Sequence, residues 1–356
     1  MSDDQTEHLQ QQVRRAAAAV APLAIRGGGT KTNFGRIATG ASLEVGEHRG
    51  IAGYQPKELV ITARAGTRLA DLEAILAERG QMLAFEPPHF GEDATIGGTI
   101  ACGLSGPARA TAGAARDFVL GVRLLNGRGE VLRFGGEVMK NVAGYDISRL
   151  MAGALGTLGV LLEISLKVLP IPAATRTLAL EADAASAIAR MAQWASTPLP
   201  ISATCWEGGR LHVRLSGAAQ GIAEAAARIG GEPLAEATAT ALWRDQLREQ
   251  GHEFFAGEAP LWRLSVPPAA PPIELPGQQL FEWGGAQRWL RSPASAESIR
   301  AAATAARGHA TLFRGGDRSG AVFQPLAPPL LALHQRLKQA FDPAGILNPG
   351  RLYPEL

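Results

Sequence analysis

Residues 87–117, reading PPHFGEDATIGGTIACGLSGPARATAGAARD, constrain this chain more than any other stretch. Six glycines fall between Gly91 and Gly113, and no helical or strand periodicity accounts for them. Glycine loses the most backbone freedom on folding, so a run this rich implies main chain passing close to a neighbour. Small or hydroxyl-bearing residues (Thr95, Thr99, Ala101, Ser105, Ala108, Thr111) keep the surface low and offer hydrogen bonds. Two readings fit: an extended, polyanionic cofactor lies against the segment, or the segment is a glycine-rich crossover between two sheets.

A chain of 356 residues has the length of two or three domains and can bury a sizeable core. Hydrophobic residues at 46% and charged residues at 19% describe a globular chain rather than a disordered one. A net charge of +2 supplies no field for nucleic acid or an acidic membrane. The two cysteines, Cys102 and Cys205, fit a reducing compartment and exclude a disulfide framework. They also exclude an iron–sulfur cluster held by this chain alone, which needs four ligands. No metal site is expected. Arg14 and Arg15 ahead of an apolar run imitate a leader peptide. Asp3, Asp4, Glu7 and Pro22 argue instead for an N-terminal helix. The apolar run 151–162 is too short to span a bilayer. No transmembrane segment is expected, and the expected location is cytoplasmic, or peripheral at the inner membrane through partners.

A short strand at 22–25 delivers the chain into a second glycine loop, Arg26, Gly27, Gly28, Gly29, Thr30, Lys31, then Gly35. Glycines there allow dihedrals that aim successive N–H groups at one point, and Thr30 adds a donor. The P-loop pattern fails for want of a glycine before the lysine, and the G-x-G-x-x-G fingerprint fails too. The loop is a phosphate cradle of another kind or a plain turn. Strands follow at 36–45, 49–54 and 59–62. A helix over 70–79 has Thr67 as its expected N-cap, and a strand covers 81–85. Residues 118–125 and 130–134 form a hairpin around Asn126-Gly127 and Arg128-Gly129. Residues 140–146, with Lys140 and Tyr145, lead into 149–154. Then come the third glycine turn, Gly156-Thr-Leu-Gly159-Val160, and a strand at 161–169.

Three glycine loops, each after a strand, reinforce one another, and their motifs make a resemblance specific. Residues 22–170 resemble the FAD-binding domain of the vanillyl-alcohol oxidase/p-cresol methylhydroxylase (PCMH) superfamily. Arg26–Thr30 matches its pyrophosphate loop and Thr95-Ile-Gly97-Gly98 its flavin-lining stretch. Arg116-Asp117-Phe-Val-Leu-Gly121 and the turn at 156–160 match later motifs. Glu86-Pro87-Pro88, Ala101-Cys-Gly103-Leu-Ser-Gly106, residues 134–146, Gly308–Asp317 and Phe341–Gly350 narrow the likeness to the FAD-binding subunits of glycolate oxidases. The resemblance implies non-covalent FAD. Its contacts would be Arg26, Gly27, Gly28, Gly29, Thr30, Lys31, Gly35, Pro87, Thr95, Gly97, Gly98, Ala101, Gly103, Gly106, Asp117, Gly159 and Val160.

The implied fold is α+β. A two-subdomain PCMH-type FAD-binding domain covers 1–172, and an α+β cap or substrate-side domain covers 173–325. A C-terminal helix and tail over 326–356 return to the FAD domain. Oxidising a 2-hydroxy acid needs a hydride acceptor, a base for the hydroxyl proton and a cation for the carboxylate. Where catalytic relatives carry His-x-His and Gly-Asp-Gly-Asn, this chain reads Gly308-His-Ala-Thr-Leu-Phe-Arg-Gly-Gly-Asp317. His309 and Arg314 are the candidates there, against a structural histidine and a surface ion pair; His89 is another. The second histidine and the asparagine are absent, so the implied role is one subunit of a complex. Its partners would be a sister FAD-linked oxidase subunit and an iron–sulfur subunit, with glycolate as substrate. A self-sufficient hydroxy-acid or alcohol dehydrogenase and a non-catalytic flavin scaffold are the alternatives.

Overall fold

The computed structural model describes residues 4–136 and 146–356. The run 137–145, with Lys140 and Tyr145, lies outside the described residues. The chain divides into two compact units. The first comprises Met1–Leu104, Ala114–Pro170 and Arg318–Leu356, and the second Ser105–Gly113 with Ile171–Asp317.

The first unit is built on a five-stranded antiparallel sheet in the order Ile51–Gln55, Val60–Arg64, Val160–Lys167, Val119–Leu125, Val131–Gly135. Val160–Lys167 is the third of the five, and on it Leu162, Ile164 and Leu166 are fully buried. Beside it, Leu23–Arg26 pairs in parallel with Ala41–Glu44. Helix Thr6–Ala19 buries Leu9, Val13 and Ala16, a stripe at helical spacing. The 126–129 turn closes through Asn126, whose Oδ1 accepts from the N–H groups of Arg128 and Glu130.

Several local expectations shift. The strand over 36–45 shrinks to Ala41–Glu44, because residues 36–40 are bends and irregular chain. Thr67 does not cap helix Leu69–Ala77. Arg68 sits at the N-cap, and the Thr67 hydroxyl instead exchanges hydrogen bonds with the Gly50 backbone. Most significantly, the glycine-rich stretch contains a helix, Ile96–Cys102, that periodicity does not announce. Its signals are terminal: Thr95 caps it by accepting from the Gly98 N–H at 3.2 Å, and Gly103 at φ +63° stops it.

The second unit carries an eight-stranded sheet. Its order is Glu232–Pro233, Ala174–Glu181, Arg210–Gly217, Ile201–Glu207, Gln278–Glu282, Gln287–Arg291, Leu261–Ser265, His309–Arg314. Helices Ala184–Ala195 and Ala219–Ile229 cover it, with Ile188, Met191, Ile222 and Phe281 in one cluster. The proline-rich run 267–276 is held in place by Arg288. This side chain is 1% exposed and donates to the Ala270, Pro271 and Gly285 carbonyls.

Candidate dinucleotide-binding site

The site grows from the end of strand Leu23–Arg26, where the chain enters Gly27, Gly28 and Gly29. Two of these glycines answer to crowding, Gly28 by main chain and Gly27 by a side chain. A Cβ on Gly28 would lie 1.4 Å from the Asp93 carbonyl oxygen, and one on Gly27 2.4 Å from the Thr95 hydroxyl. Gly29 is required by its dihedral instead, at φ +74°. The N–H groups of Gly27, Gly28, Gly29 and Thr30 have no hydrogen-bond acceptor among the described residues. All four residues are half-buried and line the cavity, so these donors are open to whatever occupies it. The Thr30 hydroxyl turns away to the His89 carbonyl at 2.8 Å.

The N-terminus of helix Ile96–Cys102 lies against this loop, but its own donors are spent inside the protein. Ile96 donates to Thr67 O at 3.0 Å and Gly97 to Ala65 O at 2.8 Å. Gly97 must be glycine because a Cβ would sit 2.7 Å from that of Ala65. The open donors therefore belong to the loop.

A cavity of about 490 Å³ opens here, wholly within the first unit. Five cationic side chains line it, Arg26, Lys31, Arg36, Arg318 and Arg351, and no carboxylate does among the described residues. Lys31 is 7% exposed, with Nζ 3.0 Å from the His89 carbonyl. Burial, with repulsion from Arg351, holds the Arg318 pKa below the usual guanidinium range. Burial lowers that of Arg351, against a small opposing pull from Cys102. Ala24, Ala65, Ala101, Ala154 and Leu155 supply small and apolar wall. Cys102 is part of that wall, and burial pushes its thiol to about 11 despite Lys31 and Arg351 nearby.

Of the residues singled out from sequence, Arg26, Gly27, Gly28, Gly29, Thr30, Lys31, Gly35, Thr95, Gly97, Gly98, Ala101, Gly159 and Val160 line this cavity. The lining does not include Pro87, Gly103, Gly106 or Asp117. Pro87 is buried in the first unit. Gly103 packs on Gly153, to which a Cβ would come within 3.0 Å. The Gly106 carbonyl accepts from the Trp283 indole at 3.0 Å in the second unit. The Asp117 carboxylate accepts from the Ala114 N–H and faces Arg149 at 3.7 Å.

Residues that sequence reasoning did not assign to the site also line it: Arg36, Arg318, Asn348 and Arg351. Asn348 holds both sides of the cavity, accepting from Ile25 N at 2.7 Å and donating to Leu155 O at 2.6 Å. The Asn348-Pro-Gly run marks a turn, but nothing in its pattern shows which strands it joins.

His309 and Arg314 occupy the two ends of one strand in the second unit. Partial burial, with Arg263 beside it, holds the His309 pKa below the usual imidazole value. Arg314 donates to Gln250 Oε1 at 2.7 Å and to Phe255 O at 3.4 Å. His89 pairs through Nε2 with Glu73 at 3.0 Å.

Two family models match the chain: an FAD binding domain over residues 4–135, and the C-terminal domain of FAD linked oxidases over 317–352. Glycolate oxidase subunit GlcE of Escherichia coli (strain K12) is 51% identical over 353 residues, covering 99% of each chain. Glycolate oxidase subunit GlcD of Bacillus subtilis (strain 168) is 31% identical over 159 residues, 44% of this chain and 34% of that protein. D-lactate dehydrogenase of Anaerostipes hadrus is 33% identical over 137 residues, 38% of this chain and 28% of its own. A solved alkyldihydroxyacetonephosphate synthase superposes with a TM-score of 0.68 at 14% identity. It covers 96% of this chain and 74% of its own, a likeness of fold.

Proposed function

The chain belongs to the family of glycolate oxidase subunit GlcE, among the FAD-linked oxidoreductases, and from that premise we propose that it is the FAD-binding subunit of a glycolate-oxidising complex. The complex converts glycolate to glyoxylate. A sister FAD-linked oxidase subunit and an iron–sulfur subunit complete it, and electrons leave through the latter. This chain has two cysteines, so a cluster has to be held elsewhere. Among the described residues no helix is long and apolar enough to cross a membrane. We place the complex in the cytoplasm, with any membrane attachment supplied by partners.

One observation carries the cofactor assignment: a cavity lined by five cations and no carboxylate, beside four backbone N–H groups without an acceptor among the described residues. That donor set fits a pyrophosphate, whose charges want cations and convergent amides. Bound FAD supplies hydride acceptance, the chemistry that 2-hydroxy-acid oxidation requires. Gly27 to Thr30 would hold the pyrophosphate with Arg26 and Lys31 beside it. Thr95, Gly97, Gly98, Ala101, Gly159 and Val160 would wall the remainder. Pro87, Gly103 and Asp117 belong to the same unit outside the lining, and Gly106 belongs to the second unit. We take 1–172 as the FAD-binding domain, 173–325 as the substrate-side domain and 326–356 as the returning tail, except that 105–113 go with the second unit and the returning segment starts at Arg318, which lines the cavity. His309 and Arg314 stay as the candidate base and carboxylate clamp, although Arg314 already spends two N–H groups on the Gln250–Phe255 segment.

Purification of the chain alone tests the assignment. A yellow protein is expected, losing its flavin on acid precipitation because the cofactor is non-covalent. A colourless protein that takes up no added FAD refutes the cofactor site. Anaerobic mixing of the flavin-loaded chain with glycolate or D-lactate then separates roles. Unchanged flavin absorbance is expected without the sister subunit, whereas bleaching shows a self-sufficient dehydrogenase.

A further inference from the structure

We propose that Arg351, in the C-terminal tail, is a positioning residue for the cofactor loop: by gathering the carbonyls of Thr32, Phe34 and Arg36, it turns the amides of Asn33, Gly35 and Ile37 outward as additional donors to the dinucleotide. The inference rests on the FAD reading above and adds to it a second row of donors, controlled from about 315 residues away in sequence.

Arg351 is 9% exposed, and its guanidinium donates to Thr32 O at 2.9 Å, to Phe34 O at 2.7 Å and to Arg36 O. These are alternate residues of one short loop. A trans peptide is planar, so the carbonyl of one residue and the N–H of the next point in opposite directions. Fixing the three carbonyls on Arg351 therefore directs the N–H groups of Asn33, Gly35 and Ile37 the other way. Those three amides have no acceptor among the described residues, and all three residues line the cavity. The intervening peptide confirms the alternation. The Gly35 carbonyl faces Arg318, at 3.1 and 2.6 Å, and the Arg36 N–H returns to the Arg351 carbonyl at 3.0 Å. Gly35 is needed for the approach, with φ +87° and a hypothetical Cβ 3.2 Å from the Arg351 carbonyl and 2.7 Å from the Leu155 side chain.

Guanidinium is the group for this task. It presents five N–H donors in a rigid planar fork, whereas a lysine ammonium at the same place has no fork to span three carbonyls. Its charge also sits among four other cations, which suits an anion-binding wall and suits an empty one poorly.

The test measures FAD binding to apoprotein of wild type, Arg351→Gln and Arg351→Lys by quenching of flavin fluorescence, with the apoprotein Tm taken alongside. Both variants are expected to raise the Kd for FAD about tenfold or more, with lysine failing to rescue. Millimolar guanidinium ion added to Arg351→Ala is expected to recover part of the affinity. A wild-type Kd in either folded variant overturns the proposal. A wild type that binds no FAD overturns the cofactor reading instead, so the two failures are distinguishable. Should the variants not fold, hydrogen exchange on the wild-type protein decides. FAD is expected to slow exchange at Asn33, Gly35 and Ile37, and unchanged exchange at all three refutes the idea.

Discussion

Replacing Asp342 by asparagine probes how the tail is locked to the sheet that carries the site. Helix Pro328–Phe341 is largely exposed, yet it buries Lys338 on the side facing the protein. The ammonium lies 2.8 Å from the Asp342 carboxylate and donates to Thr157 O at 2.9 Å and Leu347 O at 2.7 Å. Asp342 is 1% exposed and also accepts from the N–H groups of Ile346 and Leu347. Removing the carboxylate charge leaves a buried ammonium with two carbonyl dipoles. Breaking a buried pair in this way costs roughly 3–5 kcal/mol, the uncompensated charge being the larger part. At about 2–4 °C per kcal/mol for a unit of this size, the transition of the first unit should fall by roughly 6–20 °C.

The pH dependence supplies a signature that simple loss of packing does not. Burial already lowers the Lys338 pKa, and Asp342 opposes that shift. Without the carboxylate the folded-state pKa drops further below the unfolded value of about 10.4. Between those two values the unfolded chain binds more protons, so stability rises with pH through that window. The deficit of Asp342→Asn relative to wild type should therefore shrink between pH 7 and pH 10. Thermal melts followed by circular dichroism in that range measure it. A Tm within about 2 °C of wild type at pH 7, or a deficit that stays constant to pH 10, refutes the reasoning.

Other outcomes follow from the same contacts. Gly28→Ala should prevent assembly of the flavin loop, since its Cβ would lie 1.4 Å from the Asp93 carbonyl oxygen. Gly29→Ala meets only the flexible Arg26 side chain and pays mainly for its φ of +74°, about 1 kcal/mol; flavin content of the two purified variants should separate them. His48 is fully buried and its Nδ1 accepts from the Gln5 N–H at 3.0 Å. Its pKa is depressed by burial and by Arg64, with Asp4 and Glu163 pulling the other way. A base depressed in the fold stabilises it above the unfolded pKa of about 6.5, and that contribution is lost as pH falls from there towards the folded value. Melts from pH 7.5 to 5 should show this loss, and His48→Asn, which keeps an acceptor, should flatten it. Cys102, with its thiol at about 11, should react slowly with iodoacetamide at pH 7, about tenfold faster per pH unit above that, and more slowly still with FAD bound.

Much of the first unit was legible because its signals are local. The glycine loop at 26–30 follows a strand, the 126–129 turn carries its asparagine and glycines, and the strand at 160–167 opens on three apolar residues and then alternates apolar with polar ones. The helix over Ile96–Cys102 was hidden because two of its seven residues are glycines, which lower helix propensity and blank out periodicity. Gly97 is there for contact with Ala65, a neighbour that a one-dimensional pattern cannot contain. Strand Gln287–Arg291 was missed for the converse reason. Its five residues are all buried, but two of them are arginines, so it reads as a polar segment.

Those arginines and the ones at the cavity share one physical device, and it explains which part of the site stayed out of reach. Arg288 holds carbonyls of the proline-rich run, Arg291 holds carbonyls from Phe254 to Ala259, and Arg351 holds carbonyls from Thr32 to Arg36. In each case a buried guanidinium is satisfied by irregular backbone in place of a carboxylate. An ion pair leaves a trace in sequence as two opposite charges; a carbonyl clamp leaves only a lone arginine that looks like surface. The loop it organises looks like an ordinary turn. Glycines showed where the chain could approach a dinucleotide, because their need is conformational and local. The cations that hold the loop in shape come from the far end of the chain, and only the fold brings them to it.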